Sequence, residues 1–300
     1  MRVLLSGSGG LIGGALAESL GLAGWDVVRL VRNSLRVAAD SAVAWDPSTG
    51  WIDREQLDGI DAVVHLAGEP VFGFRWTAAK KHRIRASRVL GTQLLATALA
   101  RLDRPPKVFA CASAIGYYGD RGAEELTEQS QPGEGFLPEV CVAWENAAGA
   151  AREAGIRVVH LRFGLVLSLR GGALAKMLPA FRCGLGGRLG DGRQYVSWIT
   201  LNDACRAVEH VLRGDTPAGP FNVVAPEPIT NAELTRALAA QLRRPAVLPV
   251  PAVVLRLALG EMADAMLLSS ARVLPARLAS TGFVHEDSRL ELALERMLAR

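Results

Sequence analysis

Residues 6–13 read S-G-S-G-G-L-I-G, a turn that constrains the chain more than any other feature. It follows directly on a short β-rich run, Arg2–Ser6, and opens a helical pattern from about Leu11 to Leu22. Gly7, Gly10 and Gly13 have the spacing G-x-x-G-x-x-G. Glycine lets a backbone approach a ligand closely, and a helix N-terminus offers unpaired N–H groups at the positive end of its dipole. Strand, glycine turn and helix in that order form a site for a dinucleotide pyrophosphate, with Gly7, Gly10, Leu11, Ile12 and Gly13 as its residues.

The following segments continue the alternation. Trp25–Val31, Ala62–Leu66, Lys107–Cys111 and Arg157–Leu161 are β-rich, and Trp76–Leu102 and Cys141–Ala154 read as helices. In the first helix Leu95, Ala98, Leu99 and Leu102 repeat at i, i+3, i+4, i+7. Strands separated by helices of this length make parallel βαβ units, and apolar runs without strict alternation suit strands covered on both faces. After Arg162 glycine and proline rise, with a short β run at Gln194–Ile199 and a strand at Phe221–Val224. A helix over Asn231–Leu242 follows, and the text is mostly helical from Pro249 onward. The expected organisation is a nucleotide-binding domain over 1–225, with excursions into a substrate lobe at about 163–200, and a mainly helical domain over 226–300.

Composition narrows the function classes. Half of the 300 residues are apolar and 21% are charged, enough to bury a large core and too apolar for a disordered chain. No apolar run reaches the roughly 18 residues of a membrane span, and the opening stretch is too short for a secretory h-region. The expectation is a cytoplasmic protein with no membrane partner. A net charge of +4 does not require nucleic acid. Only Lys80, Lys81, Lys107 and Lys176 are lysines, so a mechanism that needs one has four places to find it. Cys111, Cys141, Cys183 and Cys205 lie far apart, without zinc spacing, so no metal is expected.

The end of the second strand discriminates between dinucleotides. An acid there holds a ribose 2′-hydroxyl, whereas an arginine accommodates a 2′-phosphate. The strand ends Leu30-Val31-Arg32-Asn33 with Arg36 beyond and no acid nearby, which predicts NADP(H), with Val31 and Arg32 at the site. Leu66, Ala67, Gly68 and Glu69 follow the third β-rich run, where a turn can pass beneath the adenosine and ribose. Lys80, Lys81, Arg83, Arg85 and Arg88 form a basic run on the long helix. A solvated face is one reading of it. In the other, Arg83 and Arg88 reach the cofactor or a substrate phosphate.

Together these residues resemble the extended short-chain dehydrogenase/reductase superfamily. The match is closer to its atypical branch of epimerase-family, sugar-nucleotide-epimerase-like proteins with a short C-terminal domain of unknown function. The motifs that carry it are SGSGGLIG (6–13), VRN (31–33), HLAGEP (65–70), SAIGYYGD (113–120), WE (144–145), RFGLVL (162–167), KMLPAFRCGLGGRLGDGRQYVSWI (176–199) and GPFNVVAP (219–226). The resemblance implies an α/β, Rossmann-like, doubly wound parallel sheet with a smaller, mostly helical C-terminal substrate lobe, and an NADP-type cofactor.

In the wider superfamily a Ser or Thr, a Tyr and a Lys four residues after that Tyr carry the acid–base chemistry. This chain has no Y-x-x-x-K anywhere, and at the corresponding helix Cys141 stands for the tyrosine and Glu145 for the lysine. A thiol with an ordinary pKa of about 8.5 is a poor substitute for an activated phenolate. The remaining catalytic candidates are Ser113, near the superfamily's Ser/Thr although Ala114 takes that place in one alignment, and Tyr117 or Tyr118. Arg182, Arg188 and Arg193 lie in the stretch that resembles the substrate-contacting part of family members. The expected function is an NADP(H)-binding epimerase-, dehydratase- or reductase-like protein acting on a small polar substrate such as a nucleotide-sugar, with a homodimer suggested by analogy. The alternative is a catalytically degenerate NADP(H)-binding sensor or interaction protein.

Overall fold

The computed structural model describes residues 1–32, 42–73 and 75–299. Its centre is an eight-stranded sheet of β1 (Arg2–Ser6), β2 (Asp26–Val31), β3 (Ala42–Asp46), β4 (Trp51–Ile52), β5 (Ala62–His65), β6 (Val108–Ala114), β7 (Arg157–Phe163) and β8 (Gly219–Val223). Their spatial order is β8-β7-β6-β5-β1-β2-β3-β4, and every neighbouring pair is parallel except β3 with β4. The strand order reverses between β1 and β5, so the chain leaves their carboxyl ends in opposite directions. A crevice at such a switch point is where open α/β sheets bind ligands.

Burial explains the composition of these strands. β5 is buried at every residue and β6 at all but its last, so they carry apolar side chains on both faces. One face packs on α1 (Leu11–Leu22) and α6 (Leu201–Arg213), through Leu16, Leu20, Val208 and Val211. The other packs on α2 (Ala78–Leu99) and α4 (Gly149–Glu153), through Leu95, Leu99 and Ala151. On the α2 side, α3 (Phe136–Asn146) packs against α2 and β6.

A separate core gathers chain from several places. Leu174, Leu178 and Phe181 of α5 (Gly172–Arg182) meet Leu234 and Leu238 of α7 (Asn231–Leu242), Trp198, and Leu290 and Leu294 of α10 (Leu290–Leu298). Two further short helices are α8 (Ala252–Leu259) and α9 (Ala276–Ser280).

Several elements differ from the sequence expectation. The antiparallel β3–β4 pair precedes β5, so the third β-rich run is the fifth strand; only Val43, Trp45 and Ile52 of the pair are buried, too few to announce it. The run 141–154 is two helices, α3 and α4, and the run 194–199 is two short strands, Tyr195–Val196 and Trp198–Thr200. Helices α5 and α6 were not anticipated. In α6, Ala204, Val208 and Val211 form a buried stripe behind a Thr200 N-cap, but Asn202, Asp203 and Arg206 interrupt it in sequence.

Candidate cofactor and catalytic site

The glycine turn lies at the carboxyl end of β1 and is closed to larger side chains. Gly7 sits at φ +72°, and a Cβ there would lie 2.8 Å from the Ala67 nitrogen. A Cβ on Gly13 would lie 2.2 Å from the Gly7 carbonyl oxygen, so helix and turn touch through bare backbone. The Gly10 N–H donates to the Gly7 carbonyl at 2.9 Å and Gly10 caps α1 without a side chain. The first turn of α1 carries no acid. That end of the helix therefore keeps donors and positive dipole for an anion.

Ser6 and His65, register partners on β1 and β5, fix the neighbouring turn. The Ser6 hydroxyl accepts from the Leu66 and Ala67 amides at 3.1 and 3.2 Å, which leaves its proton for His65 Nδ1 at 2.6 Å. Burial holds His65 uncharged, with its pKa pushed down to about 4. Leu66 and Ala67 thus lie against the glycine turn, and Gly68 and Glu69 follow them.

The basic residues are distributed differently from the expectation. Arg32 is exposed just beyond Val31 at the end of β2, while Asn33 and Arg36 lie outside the described residues. Glu69 is gripped by Lys80 at 2.7 Å and approached by Arg83 at 3.7 Å, and these cations hold its carboxyl below the usual range. Arg88 turns inward, donating to the Glu69 and Ile84 carbonyls at 3.0 and 3.1 Å, with its guanidinium 4.9 Å from the Trp144 ring centre. Arg88 therefore braces the 66–69 turn through Nη1. Arg182, Arg188 and Arg193 are exposed.

The catalytic candidates converge on a residue that the sequence reading did not single out. Ser113 on β6, Arg162 on β7 and Asn222 on β8 are register partners across three adjacent strands. Arg162 donates to both Glu145 oxygens at 2.8 Å. Ser113 donates to Glu145 Oε1 at 2.7 Å. Burial pushes the Glu145 carboxyl up, but the Arg162 bonds and charge outweigh it and hold the group below the usual glutamate value. A polar side chain near the end of a strand that is otherwise apolar, as in V-V-H-L-R and P-F-N-V, was the available signal.

The two tyrosines separate. Tyr118 is fully buried, donates to Asn222 Oδ1 at 2.7 Å and accepts from Arg162 at 3.0 Å. Burial pushes its pKa up to about 12. Of the two alternatives, Tyr118 thus has its proton committed to Asn222 in the network beneath the site. Tyr117 is half-buried, with the Arg162 guanidinium 3.5 Å from its ring centre. Cys141 is buried, its thiol 3.8 Å from the Ala114 carbonyl, and burial followed by the Glu145 charge pushes its pKa up to about 12. Among the described residues no cluster of His, Cys, Asp or Glu could hold a metal ion.

A mostly parallel sheet with a topological switch point, and a glycine turn closed to larger side chains beside it, form the architecture of dinucleotide-binding α/β proteins. Residues 3–224 match the NAD dependent epimerase/dehydratase family and residues 250–297 match a domain of unknown function, DUF1731. The chain belongs to the NAD dependent epimerase/dehydratase family, within the extended short-chain dehydrogenase/reductases. It is 41% identical to the epimerase family protein MT2273 of Mycobacterium tuberculosis, over 97% of this chain and 96% of that one. It is 34% identical to the human epimerase family protein SDR39U1 over the whole of both chains. The crystal structure of human SDR39U1 (isoform 2) with NADPH superposes with a TM-score of 0.91 at 33% identity, covering all of both chains. A nucleoside-diphosphate sugar epimerase from Corynebacterium glutamicum superposes with a TM-score of 0.82 at 35% identity, covering 99% of this chain and 58% of that one.

Proposed function

We propose that this protein binds NADP(H) at the β1–α1 turn and acts as an oxidoreductase- or epimerase-type enzyme on a small polar substrate such as a nucleotide-sugar. The observation that carries the reading is the cradle of Gly7, Gly10 and Gly13, where a Cβ at Gly7 or Gly13 would strike backbone. Gly10, Leu11, Ile12 and Gly13 would meet the pyrophosphate, and Val31 and Arg32 the adenosine ribose and its 2′-phosphate. Leu66, Ala67, Gly68 and Glu69 would line the far side. The NADPH bound to the human relative supports the choice of dinucleotide.

When bound, the cofactor supplies hydride chemistry, and the protein's part is orientation and proton placement. Glu145, held anionic by Arg162, takes the single proton of Ser113, so Ser113 presents lone pairs to whatever lies beside it. Cys141 and Tyr118 are likewise committed to Ala114 and Asn222. That leaves the Tyr117 hydroxyl as the acid–base candidate of the original set.

The same commitments favour a second reading, a cofactor-binding sensor. The positions that stand for the superfamily's tyrosine and lysine hold a buried thiol and a neutralised carboxylate. Calorimetry with NADPH and NADH tests the shared premise, with tighter NADPH binding expected. Following both NADPH absorbance and product formation with carbonyl and sugar-nucleotide pools then separates the two, since an epimerase regenerates its cofactor and shows no net absorbance change. Turnover that disappears in Tyr117→Phe with cofactor still bound favours the enzyme, and bound NADPH with neither absorbance change nor product from any pool favours the sensor.

A further inference from the structure

The charge of this chain is unevenly distributed. Residues 154–190 and 234–260 together hold ten arginines or lysines and not one aspartate or glutamate, although Arg162 is buried against Glu145 and Arg170 pairs with Glu18. The other 24 of the 34 cations share the rest of the chain with all 30 carboxylates. The two stretches meet in space: Leu189 bridges Val250, and a Cβ on Gly184 would lie 3.5 Å from the Pro245 ring.

Where they meet, large aliphatic side chains face outward. Leu185 is 62% exposed, Val247 75%, Val253 60% and Leu257 69%, with Leu248 and Val254 about half exposed. Val253, Val254 and Leu257 share one face of α8, whose Leu255 alone is buried. Exposed arginines stand near them along the chain at positions 182, 188, 243, 244 and 256; Arg256 also pairs with Asp264 at 2.9 Å.

We propose that this face rests on an anionic lipid surface, with the aliphatic side chains entering the headgroup boundary and the arginines meeting the phosphates. Aliphatic residues ringed by cations are the pattern of peripheral membrane contact. A second copy of the chain fits poorly, because self-pairing would bring the arginines together. The six aliphatic side chains offer no directional polar group, as a fluid partner requires and a specific protein partner does not. No helix among the described residues is long and apolar enough to cross a membrane, so the contact is with the surface alone.

The test is co-sedimentation of the full chain with vesicles of equal parts phosphatidylcholine and phosphatidylglycerol, and with vesicles of phosphatidylcholine alone. The protein is expected to sediment with the anionic vesicles only, and to be released as salt is raised. Leu248→Asp with Val254→Asp, and separately Arg243→Glu with Arg244→Glu, should each lower the bound fraction at least tenfold. Arg101→Glu with Arg104→Glu, which changes net charge equally at exposed sites elsewhere, should not. All four positions of the test variants are exposed, so circular dichroism and NADPH binding should match the parent. No binding to anionic vesicles, equal loss in the Arg101/Arg104 control, or a dimer dissociated by the Leu248/Val254 variant would each overturn the proposal.

Discussion

Arg162 grips Glu145 through both carboxylate oxygens at 2.8 Å, in a pair whose side chains are 3% and 12% exposed. The attraction offsets the cost of bringing both charges out of water only because the geometry is bidentate and Ser113 and Tyr118 satisfy further bonding capacity. Removing one partner is therefore more damaging than the net worth of the pair suggests. Arg162→Met is expected to destabilise the fold by about 3–5 kcal/mol in urea denaturation, because it leaves a buried carboxylate unpaired.

The same variant should reverse the pH dependence of the Glu145 contribution. In the parent, Glu145 sits below its unfolded value, so its contribution is present above about pH 4.3 and fades as pH falls through the lower folded value. Without Arg162 the Ser113 bond is left against burial, the largest influence on the group, and the carboxyl is expected to move above its unfolded value. Arg162→Met should then lose less stability than the parent on acidification from pH 7 to about pH 5, because both proteins carry the cost of protonating His65 and His160 while the freed carboxyl takes up a proton only in the variant. Denaturation midpoints at the two pH values check this, and parallel changes in both proteins would contradict it.

The proposed preference for NADP(H) rests on Arg32. Arg32 follows β2 at the place where a 2′-phosphate would lie. Arg32→Ala should remove a charge-assisted bond worth about 1.5–3 kcal/mol, a loss of roughly tenfold to a hundredfold in NADPH affinity. NADH affinity should not change. Calorimetry of both nucleotides with both proteins decides the point.

The cradle makes a sharper demand. Gly13→Ala would place a methyl group 2.2 Å from the Gly7 oxygen, and backbone cannot swing aside as a side chain can. The expected cost is about 1–3 kcal/mol of stability, together with a loss of NADPH affinity exceeding about tenfold as the turn reshapes. Gly9→Ala is the control, since a Cβ there meets nothing within 4 Å and should leave both measurements unchanged.

The sequence made some of this architecture legible and concealed the rest. The β1 turn was readable because its glycines answer local backbone demands, and α7 because Thr230 and Glu233 form a reciprocal capping box before it. The network at Arg162 was hidden because its meaning lies in register. Ser113, Arg162 and Asn222 are distant in sequence and adjacent only once β6, β7 and β8 align. The β3–β4 pair was hidden for a different reason: a two-residue strand carries too little pattern to separate from a turn. Tyr117 and Tyr118 stayed alternatives because neighbouring tyrosines look alike in sequence, whereas Tyr118 is buried against Asn222 and Tyr117 lies over Arg162.

Two histidines should dominate the acid limb of the stability curve. Burial pushes His65 and His160 down to about 4 from the ordinary value of 6.5, and each keeps one ring nitrogen buried without a hydrogen-bond partner. The unfolded chain binds protons at these groups that the folded chain refuses, so stability rises with pH through this interval. Their contribution is fully present above about pH 6.5 and is lost as pH falls toward about 4, at a cost on the order of 3 kcal/mol for each histidine. His160→Gln removes one titrating group, so its stability should decline less steeply than the parent's between pH 6.5 and 4. Urea denaturation across that interval measures both slopes, and parallel curves would show that His160 does not titrate as its burial requires.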